Sequence, residues 1–363
     1  MPSRAAPPSP RAIDTSERPF VLIWEVTQAC ELACDHCRAN ARPGRHPEEL
    51  TTVEGKRLLD SAAGFGDGQL VVLSGGDPMK RPDLVEMVRY GTERGLRMTL
   101  TPSGTEALTP DSVAELADAG LERIALSIDA PGEAHDRFRG EAGSFDRTIE
   151  AVEAARKAGI PIQINTTVCE STVGTLPEVR DLVAELGAVL WSVFFLVPIG
   201  RGQLLEGLDP DRAEAVLEWL QETSEEVPFG IKTTEAPSYR RVALQRNGSA
   251  TDAPDDDAIG RRGGIIAGDG FAFVSHTGEL YPSGFLPKSA GNVREADLVS
   301  LYRDSELFES LRDRDRLKGK CGACEFRDVC GGSRSRAFAV TGDPLESDPL
   351  CSHVPERYDG ALP

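Results

Sequence analysis

The sequence lacks any apolar run that approaches the ~20 residues needed to cross a bilayer, so it predicts no membrane span. Basic residues are also scarce: 40 Lys and Arg stand against 59 Asp and Glu, a formal net charge of −19. Because phosphates repel such a surface, nucleic acid and anionic membranes are excluded as expected partners. Residues 1–18 contain no apolar core of a signal peptide, and we expect a disordered lead and a cytoplasmic protein.

Short runs rich in Val, Ile and Leu alternate with amphipathic stretches over roughly the first 200 of the 363 residues. Nearly continuous apolar strands are typical of parallel sheets that are buried on both faces. Six strand–helix repeats joined by right-handed crossovers predict an α/β fold, a partial (β/α)6 TIM-like barrel. The predicted strands are 20–26, 70–73, 96–101, 123–128, 162–168 and 190–197. The predicted helices are 53–63, 84–94, 110–119, 145–157, 176–186 and 211–223.

The chain is predicted to divide into a lead (1–18), a core barrel (19–208), a helical connector with a mobile loop (209–262) and a small Cys-rich extension (263–363). The loop is placed in the polar stretch 247–264, which is rich in Gly and Asp. A hairpin is expected where 271–274 and 279–281 flank His276-Thr277-Gly278.

The eight cysteines are clustered rather than scattered. Cys30, Cys34 and Cys37 occupy eight residues, four more lie in the last 43 residues, and Cys169 stands alone. Disulfides are disfavoured because nothing marks the chain as secreted, and clustered cysteines in an intracellular protein indicate metal binding. Three early thiolates leave one iron of a four-iron cluster open to a small ligand, whereas zinc would need a fourth ligand from the protein.

The spacing Cys30-x3-Cys34-x2-Cys37, with His36 at the aromatic position, resembles the signature of the radical S-adenosylmethionine (SAM) superfamily. The resemblance covers residues 19–200 and the Cys-rich tail. It implies a [4Fe-4S] cluster with SAM at the open iron, reduced by a donor of flavodoxin or ferredoxin type. The SAM sulfonium bond then breaks, and a 5′-deoxyadenosyl radical abstracts hydrogen from an unactivated carbon. No catalytic residue is assigned beyond the cluster ligands.

The same resemblance implies a set of SAM contacts. Ser74-Gly75-Gly76-Asp77-Pro78 is similar to the Gly-Gly-Glu-Pro loop that binds the methionine amino group in the family. Val197 begins a turn, 197–202, that resembles the adenine-contacting turn. Arg139 is compatible with two roles, a partner for the SAM carboxylate or a loop salt bridge. The positions that resemble methionine and ribose contacts are Ser103, Ser127, Asp129, Asn165 and Thr167.

The tail resembles the SPASM/twitch extensions of radical SAM enzymes. This likeness implies one auxiliary [4Fe-4S] cluster on Cys321, Cys324, Cys330 and Cys351. Zinc remains a competitor, since four thiolates are its preferred structural ligand set. A second auxiliary cluster lacks ligands, because Ile265, Ser283 and Ser333 stand where many relatives carry Cys. Cys169 is predicted to be a small buried apolar residue.

Several segments, among them Trp24-Glu-Val-Thr and Gly291-Asn-Val-Arg, resemble the heme-biosynthesis branch of the superfamily, which includes the Fe-coproporphyrin decarboxylase and the heme d1 protein. The likeness implies an oxidative modification, such as decarboxylation, of a tetrapyrrole or a similar carboxylated substrate. Two alternatives stay open, a peptide maturase and a non-enzymatic metal-cluster protein. Arg240, Arg241, Arg261 and Arg262 are candidate receivers of such carboxylates, although solvated surface arginines are the favoured interpretation of each one.

Overall fold

A curled parallel sheet forms the centre of the molecule, which a computed structural model describes over residues 13–247 and 265–360. Its first six strands follow one another in chain order and pair in parallel, with helices between them. The predicted partial (β/α)6 barrel is therefore confirmed. The strands are β1 (Val21–Thr27), β2 (Leu70–Gly75), β3 (Arg97–Leu100), β4 (Arg123–Ser127), β5 (Ile162–Val168) and β6 (Leu190–Phe195).

The outer layer consists of helices whose boundaries follow from local chemistry. α1 starts after Thr51, which forms a capping box with Glu54, and α3 starts after Thr109, followed by Pro110 at the first helical position. These helices cover the outer face of the sheet. They are α1 (Thr52–Ala63), α2 (Leu84–Glu93), α3 (Pro110–Asp118), α4 (Glu133–Arg139), α5 (Ser144–Lys157) and α6 (Leu176–Glu185).

Side chains along β1 alternate between the hydrophobic core beneath the helices and the interior of the barrel. Leu22 and Trp24 are fully buried beneath the helices, and a Cβ atom at Gly55 of α1 would lie 2.5 Å from the Trp24 ring. Because successive strand residues face opposite sides, Ile23 and Glu25 face the interior. Ile23 is only partly buried, as is Val72 on the neighbouring strand, so the interior wall here remains accessible.

The sheet continues beyond the six predicted strands on both sides. After α7 (Pro210–Glu226), β7 (Gly230–Thr234) pairs in parallel with β6. On the other side, β9 (Gly270–Val274) pairs in parallel with β1, and β8 (Ile266–Ala267) and β10 (Leu280–Tyr281) pair with β9. The expected hairpin is present. Strands from both sides of the predicted boundary near residue 262 belong to this one sheet.

The rest of the tail is helical and loop-rich. Residues 13–18, expected in the disordered lead, form a turn in which the Thr15 hydroxyl donates to Asp269 and the Thr15 carbonyl accepts from Tyr302. The remainder of the lead (1–12) and most of the predicted loop (248–264) lie outside the described residues. No helix in the described part of the chain has the length and apolarity to cross a membrane. The remaining helices are α8 (Ser238–Asn247), α9 (Leu298–Asp304), α10 (Glu306–Arg312), α11 (Gly319–Ala323) and α12 (Arg334–Thr341).

Candidate active site

The three early cysteines lie on the loop that follows β1, at the end of the barrel where parallel α/β folds place their active sites. Cys30 and Cys34 are buried and Cys37 is partly buried. None of the eight cysteines, all of which are described, forms a disulfide. The Leu32 amide donates to Cys30 Sγ over 3.4 Å, and the Ser103 hydroxyl lies 3.7 Å from the same sulfur.

The surroundings of these sulfurs suit an anionic iron–sulfur cluster. Burial raises the pKa of Cys30 to about 11 and also raises that of Cys34, so metal coordination is what would deprotonate them near neutral pH. Arg139 Nη1 lies 4.0 Å from Cys34 Sγ and brings a positive charge to the buried sulfur. Hydrogen bonds and charge of this kind set the potential of an iron–sulfur cluster. The residues present therefore fit the implied group.

The Gly75-Gly76-Asp77 loop packs directly against the start of the cysteine loop. A Cβ atom at Gly75 would lie 2.3 Å from the carbonyl oxygen of Thr27, and one at Gly76 would lie 2.4 Å from that of Ala29. Gly75 also has φ +147°, a conformation that favours glycine. This close approach of two backbone segments therefore explains why both positions are glycine.

Asp77 serves to hold that loop. It is fully buried and accepts from the Thr105 hydroxyl at 2.6 Å and from the amides of Met79 and Ser103. Burial raises the pKa of Asp77 in spite of these donors. The Ser103 hydroxyl donates to the Gly76 carbonyl at 3.2 Å, which completes the contact between the loops after β2 and β3.

We expect Gly76→Ala to displace this loop and to weaken SAM binding, because the added methyl collides with backbone that cannot rotate away. Overpacking of this kind costs roughly 1–3 kcal/mol, which corresponds to about a 5- to 150-fold loss of affinity if expressed in the bound state. Equilibrium binding of SAM to the anaerobic enzyme measures the change. Gly207→Ala is the matched control, since a Cβ atom there meets nothing within 4 Å. Equal SAM affinity in both variants would contradict the steric argument.

The ends of β4 and β5 are joined to the cysteine loop by a buried ion pair. Arg139 Nη2 lies 2.6 Å from Asp129 Oδ2, and Asp129 Oδ1 accepts from the Thr167 amide at 2.8 Å. Burial by itself would raise the pKa of Asp129, but the Arg139 guanidinium brings it below its usual value. Of the two roles open to Arg139, the structure shows the loop salt bridge.

Polar side chains line the interior at this side of the barrel. Ser127 on β4 and Asn165 on β5 are register partners, and Gln163 Nε2 donates to Asn165 Oδ1 at 2.7 Å. Thr167 follows on the same strand face, two residues after Asn165. These side chains therefore share one wall, while Ile164 and Val168 face the helices.

The turn after β6 packs on the cysteine loop from the other side. Arg201 Nε donates to the Cys34 carbonyl at 2.8 Å, and its amide donates to the Cys37 carbonyl at 3.0 Å. Gly200 has φ +53°, and a Cβ atom there would lie 2.4 Å from the Cys37 carbonyl. Val197, which opens the turn, is buried. The segments that follow β2, β4 and β6 thus all contact the cysteine loop.

Sequence reasoning missed Glu25. It is 4% exposed, and its carboxylate accepts from Arg38 Nη1 at 3.1 Å and lies 2.6 Å from His276 Nδ1. Burial opposes ionisation, but His276 and Arg38 lower the pKa of Glu25 overall. The signal was a charged residue between Trp24 and Val26 in an otherwise apolar strand, a position where an unpaired carboxylate would be costly.

The four tail cysteines line one small pocket. Their sulfurs accept hydrogen bonds from the amides of Phe326 (to Cys324) and Gly332 (to Cys330) and from Arg334 Nη2 (to Cys321). Burial raises the pKa of Cys330 to about 12 and that of Cys351 to about 11. This donor set fits a metal centre. Its four ligands would be Cys321, Cys324, Cys330 and Cys351.

Ser283 and Ser333, which stand where many relatives carry cysteine, both contact one carboxylate. The hydroxyls of Ser283 and Ser333 donate to Glu235 at 3.1 and 2.5 Å, and that of Ser335 donates at 2.8 Å. Glu235 has φ +58°, an uncommon conformation for a residue other than glycine. These serines therefore connect the end of β7 to the tail.

The proposed carboxylate-binding arginines have different environments. Arg241 pairs with Glu214 and with Gln245, so it is already engaged. Arg240 Nη1 is buried without a hydrogen-bond partner among the described residues. Arg261 and Arg262 lie outside the described residues. Cys169 is fully buried, with its Sγ 3.2 Å from the Ser171 hydroxyl.

Residues 24–186 match the model of the Radical SAM superfamily. The chain belongs to this superfamily and is a radical SAM enzyme that uses a [4Fe-4S] cluster and SAM. It is 42% identical to the AdoMet-dependent heme synthase of Methanosarcina barkeri over 95% of this chain and 99% of that protein. It is 30% identical to the Fe-coproporphyrin III synthase of the same organism over 91% and 87% of the two chains.

The fold is also that of solved radical SAM structures. The crystal structure of Streptococcus suis SuiB bound to S-adenosylmethionine superimposes with a TM-score of 0.71 over 93% of this chain and 78% of that chain. The sequence identity is 18%, so this likeness concerns the fold alone. The resemblance to the heme-biosynthesis branch is confirmed by the sequence relatives, and the alternative of a non-enzymatic metal protein is wrong.

Proposed function

We propose that this enzyme oxidatively removes carboxylate groups from the side chains of a tetrapyrrole. The observation that supports the proposal most is the similarity to a heme synthase at 42% identity along nearly the whole of both chains. A second relative, the Fe-coproporphyrin III synthase, also carries a tetrapyrrole in its name. The substrate would enter the accessible interior of the barrel beside the cysteine loop.

Specific residues are assigned to the cofactor in this proposal. Cys30, Cys34 and Cys37 hold the [4Fe-4S] cluster, and SAM binds at its open iron. When bound, this pair supplies the radical that abstracts hydrogen from the substrate. The groups assigned to direct SAM contact are Gly75, Gly76, Pro78, Ser103, Ser127, Asp129, Asn165, Thr167 and Val197. Asp77 and Arg139, which the resemblance also implied, are assigned an indirect role through the loops that they hold.

The structure suggests how the chain itself contributes. Asp77 and Arg139 act by holding loops, since their charged groups are engaged by Thr105 and Asp129 respectively. The wall formed by β4 and β5 offers Ser127 and Asn165 to the polar parts of SAM. Ile23 and Val72 give the interior side of β1 and β2 an apolar surface, which would keep water from a substrate radical once the bound substrate covers it.

The tail is assigned one auxiliary [4Fe-4S] cluster on Cys321, Cys324, Cys330 and Cys351, with zinc as the competing occupant. The proposed division remains a barrel (19–208), a connector (209–262) and an extension (263–363). A flavodoxin or ferredoxin of low potential is the proposed electron donor. The strongly acidic chain would require a donor that tolerates repulsion or docks on a local basic area.

The test is an anaerobic turnover of the reconstituted full chain with SAM, a chemical reductant and ferric coproporphyrin III. We expect 5′-deoxyadenosine together with a porphyrin product that has lost carbon dioxide and two hydrogens from a side chain, detected by mass spectrometry. Metal-free coproporphyrin III and a control without SAM should give no such product. Radical formation without any change in the porphyrin would refute the proposed substrate and return the peptide-maturase alternative to first place.

We expect Cys330→Ala to remove the tail cluster while SAM cleavage survives. Cys330 is buried in the tail cavity, far along the chain from the three early cysteines, and its loss breaks only the tail site. Iron should fall from about eight to about four per chain, and porphyrin product should be lost. Measured zinc in the wild-type tail, with iron unchanged by the substitution, would contradict the auxiliary-cluster assignment.

A further inference from the structure

The corner of the barrel where β9, β1 and β10 meet carries a histidine held by a buried carboxylate. His276 lies two residues after the end of β9, and its Nδ1 lies 2.6 Å from Glu25 Oε2. Its backbone amide points to the same oxygen at 3.4 Å. Since an ionised carboxylate can only accept, Nδ1 carries a proton, and in the neutral ring Nε2 then presents a lone pair. No described residue is a hydrogen-bond partner of Nε2, and 12% of the side chain is exposed.

The carboxylate of this pair is itself fixed from the other side. Arg38, which follows Cys37, donates to Glu25 Oε1 at 3.1 Å, and its guanidinium lies 4.4 Å from the centre of the Phe273 ring. Phe273 stacks on Tyr281 across the hairpin. The interior wall beside the pair contains Ile23, which is partly accessible. Glu25 and Arg38 therefore link the histidine both to the Phe273–Tyr281 aromatic pair and to the cysteine loop.

A histidine whose other ring nitrogen donates to a carboxylate is the arrangement found at metal-binding histidines, because the carboxylate fixes the tautomer and makes the ring more basic. Heme iron in particular is commonly bound by such a histidine. We propose that Nε2 of His276 is an axial ligand to the iron of a metalloporphyrin substrate, with Glu25 as the positioning residue. The inference rests on the proposed function and adds the residue that holds the substrate.

The other four histidines fit this role less well. His36 stacks on Phe138 at 4.6 Å, and its Nδ1 is enclosed. His135 is 1% exposed, with Nδ1 accepting from the Asp129 amide and Nε2 lying 3.4 Å from the Ser144 hydroxyl.

The remaining two lack a suitable carboxylate partner or position. His353 uses Nε2 to contact Glu325 beside Cys324, so it belongs to the tail site. His46 lies with its ring 5.2 Å from that of His276, but its Nδ1 accepts from the Glu48 amide, and no described carboxylate bonds to its ring. His46 is thus the matched control for His276.

The test titrates ferric coproporphyrin III, and separately metal-free coproporphyrin III, into the full chain with its clusters but without SAM. Difference absorbance and electron paramagnetic resonance report the iron ligand. We expect a histidine-ligated iron signature in the wild type and in His46→Ala. His276→Ala should lose the signature, bind the ferric porphyrin no more tightly than the metal-free one, and regain the signature with added imidazole. Glu25→Gln should keep the ligand but weaken ferric-porphyrin binding by about 10- to 100-fold.

The outcomes separate this inference from the function on which it rests. An unchanged signature in His276→Ala, or a loss that instead follows His46→Ala, overturns the inference while porphyrin binding by the wild type still supports the function. Binding of neither porphyrin to the wild type rejects the proposed function itself. Rescue by imidazole distinguishes a lost ligand from a damaged fold, because a misfolded pocket would not be repaired by a small ligand.

Discussion

We expect Cys34→Ala to abolish 5′-deoxyadenosine formation, the largest effect among the substitutions considered for activity. Cys34 is buried, its Sγ faces Arg139, and its carbonyl accepts from Arg201, so it lies at the middle of the contacts that shape the cysteine loop. Two remaining thiolates cannot hold a four-iron cluster that keeps one iron open. Anaerobic iron counting should show a loss of about four irons, and a SAM-cleavage assay should show no product above background.

The control for this experiment is Cys169→Ala. Cys169 is also buried, but its sulfur contacts the hydroxyls of Ser171 and Thr172 and no other cysteine. We expect that variant to keep both its iron and its SAM cleavage. If Cys34→Ala cleaved SAM at the wild-type rate, the assignment of the three early thiolates would be wrong, whatever the iron content.

The largest effect on stability is expected from Asp129→Asn. The substitution leaves the Arg139 guanidinium buried without its counter-charge, and breaking a buried pair in this way costs about 3–5 kcal/mol. The side-chain oxygen that the substitution retains can still accept from the Thr167 amide, so the loss of stability reports the missing counter-charge of Arg139. The midpoint of anaerobic denaturant unfolding measures the change, and iron retention shows whether the cysteine loop follows.

Two further variants test whether the unpaired charge of Arg139 causes the loss of stability. Asp60→Asn removes the partner of Arg94 in an exposed pair, where about 1 kcal/mol or less is expected. The double variant Asp129→Asn with Arg139→Met should recover much of the loss, because replacing a whole buried pair by apolar atoms is often nearly neutral. A double variant as unstable as Asp129→Asn alone would show that the unpaired charge is not the cause.

The barrel was predictable because its signals are local. Apolar runs and helix caps such as Thr51 and Thr109 lie within a few residues of the elements they define. The strand β7 was missed because Gly230–Thr234 is short and partly polar. The place of β9 beside β1 was missed for another reason: parallel pairing between Val21 and Phe271 leaves no trace in either local pattern.

In the candidate site, too, the local features were predictable and the long-range contacts were not. The cysteine spacing predicted the cluster loop, and the resemblance singled out the Gly-rich segment that packs against it. The sequence did not reveal what the glycines contact, because Thr27 and Ala29 oppose them only after folding. Arg139 was ambiguous until Asp129 was found at 2.6 Å. The pairing of Glu25 with His276 joins residues from opposite ends of the chain, although a carboxylate within an apolar strand was a visible signal.

The pairing of β9 with β1 also governs how the protein is made. During synthesis the first strand emerges early, yet its second neighbour is supplied only after residue 270 has left the ribosome. Until then β1 is an unprotected sheet edge, which invites aggregation. Contacts between such distant segments also slow folding. We therefore expect nascent chains that end before β9 to depend on chaperones.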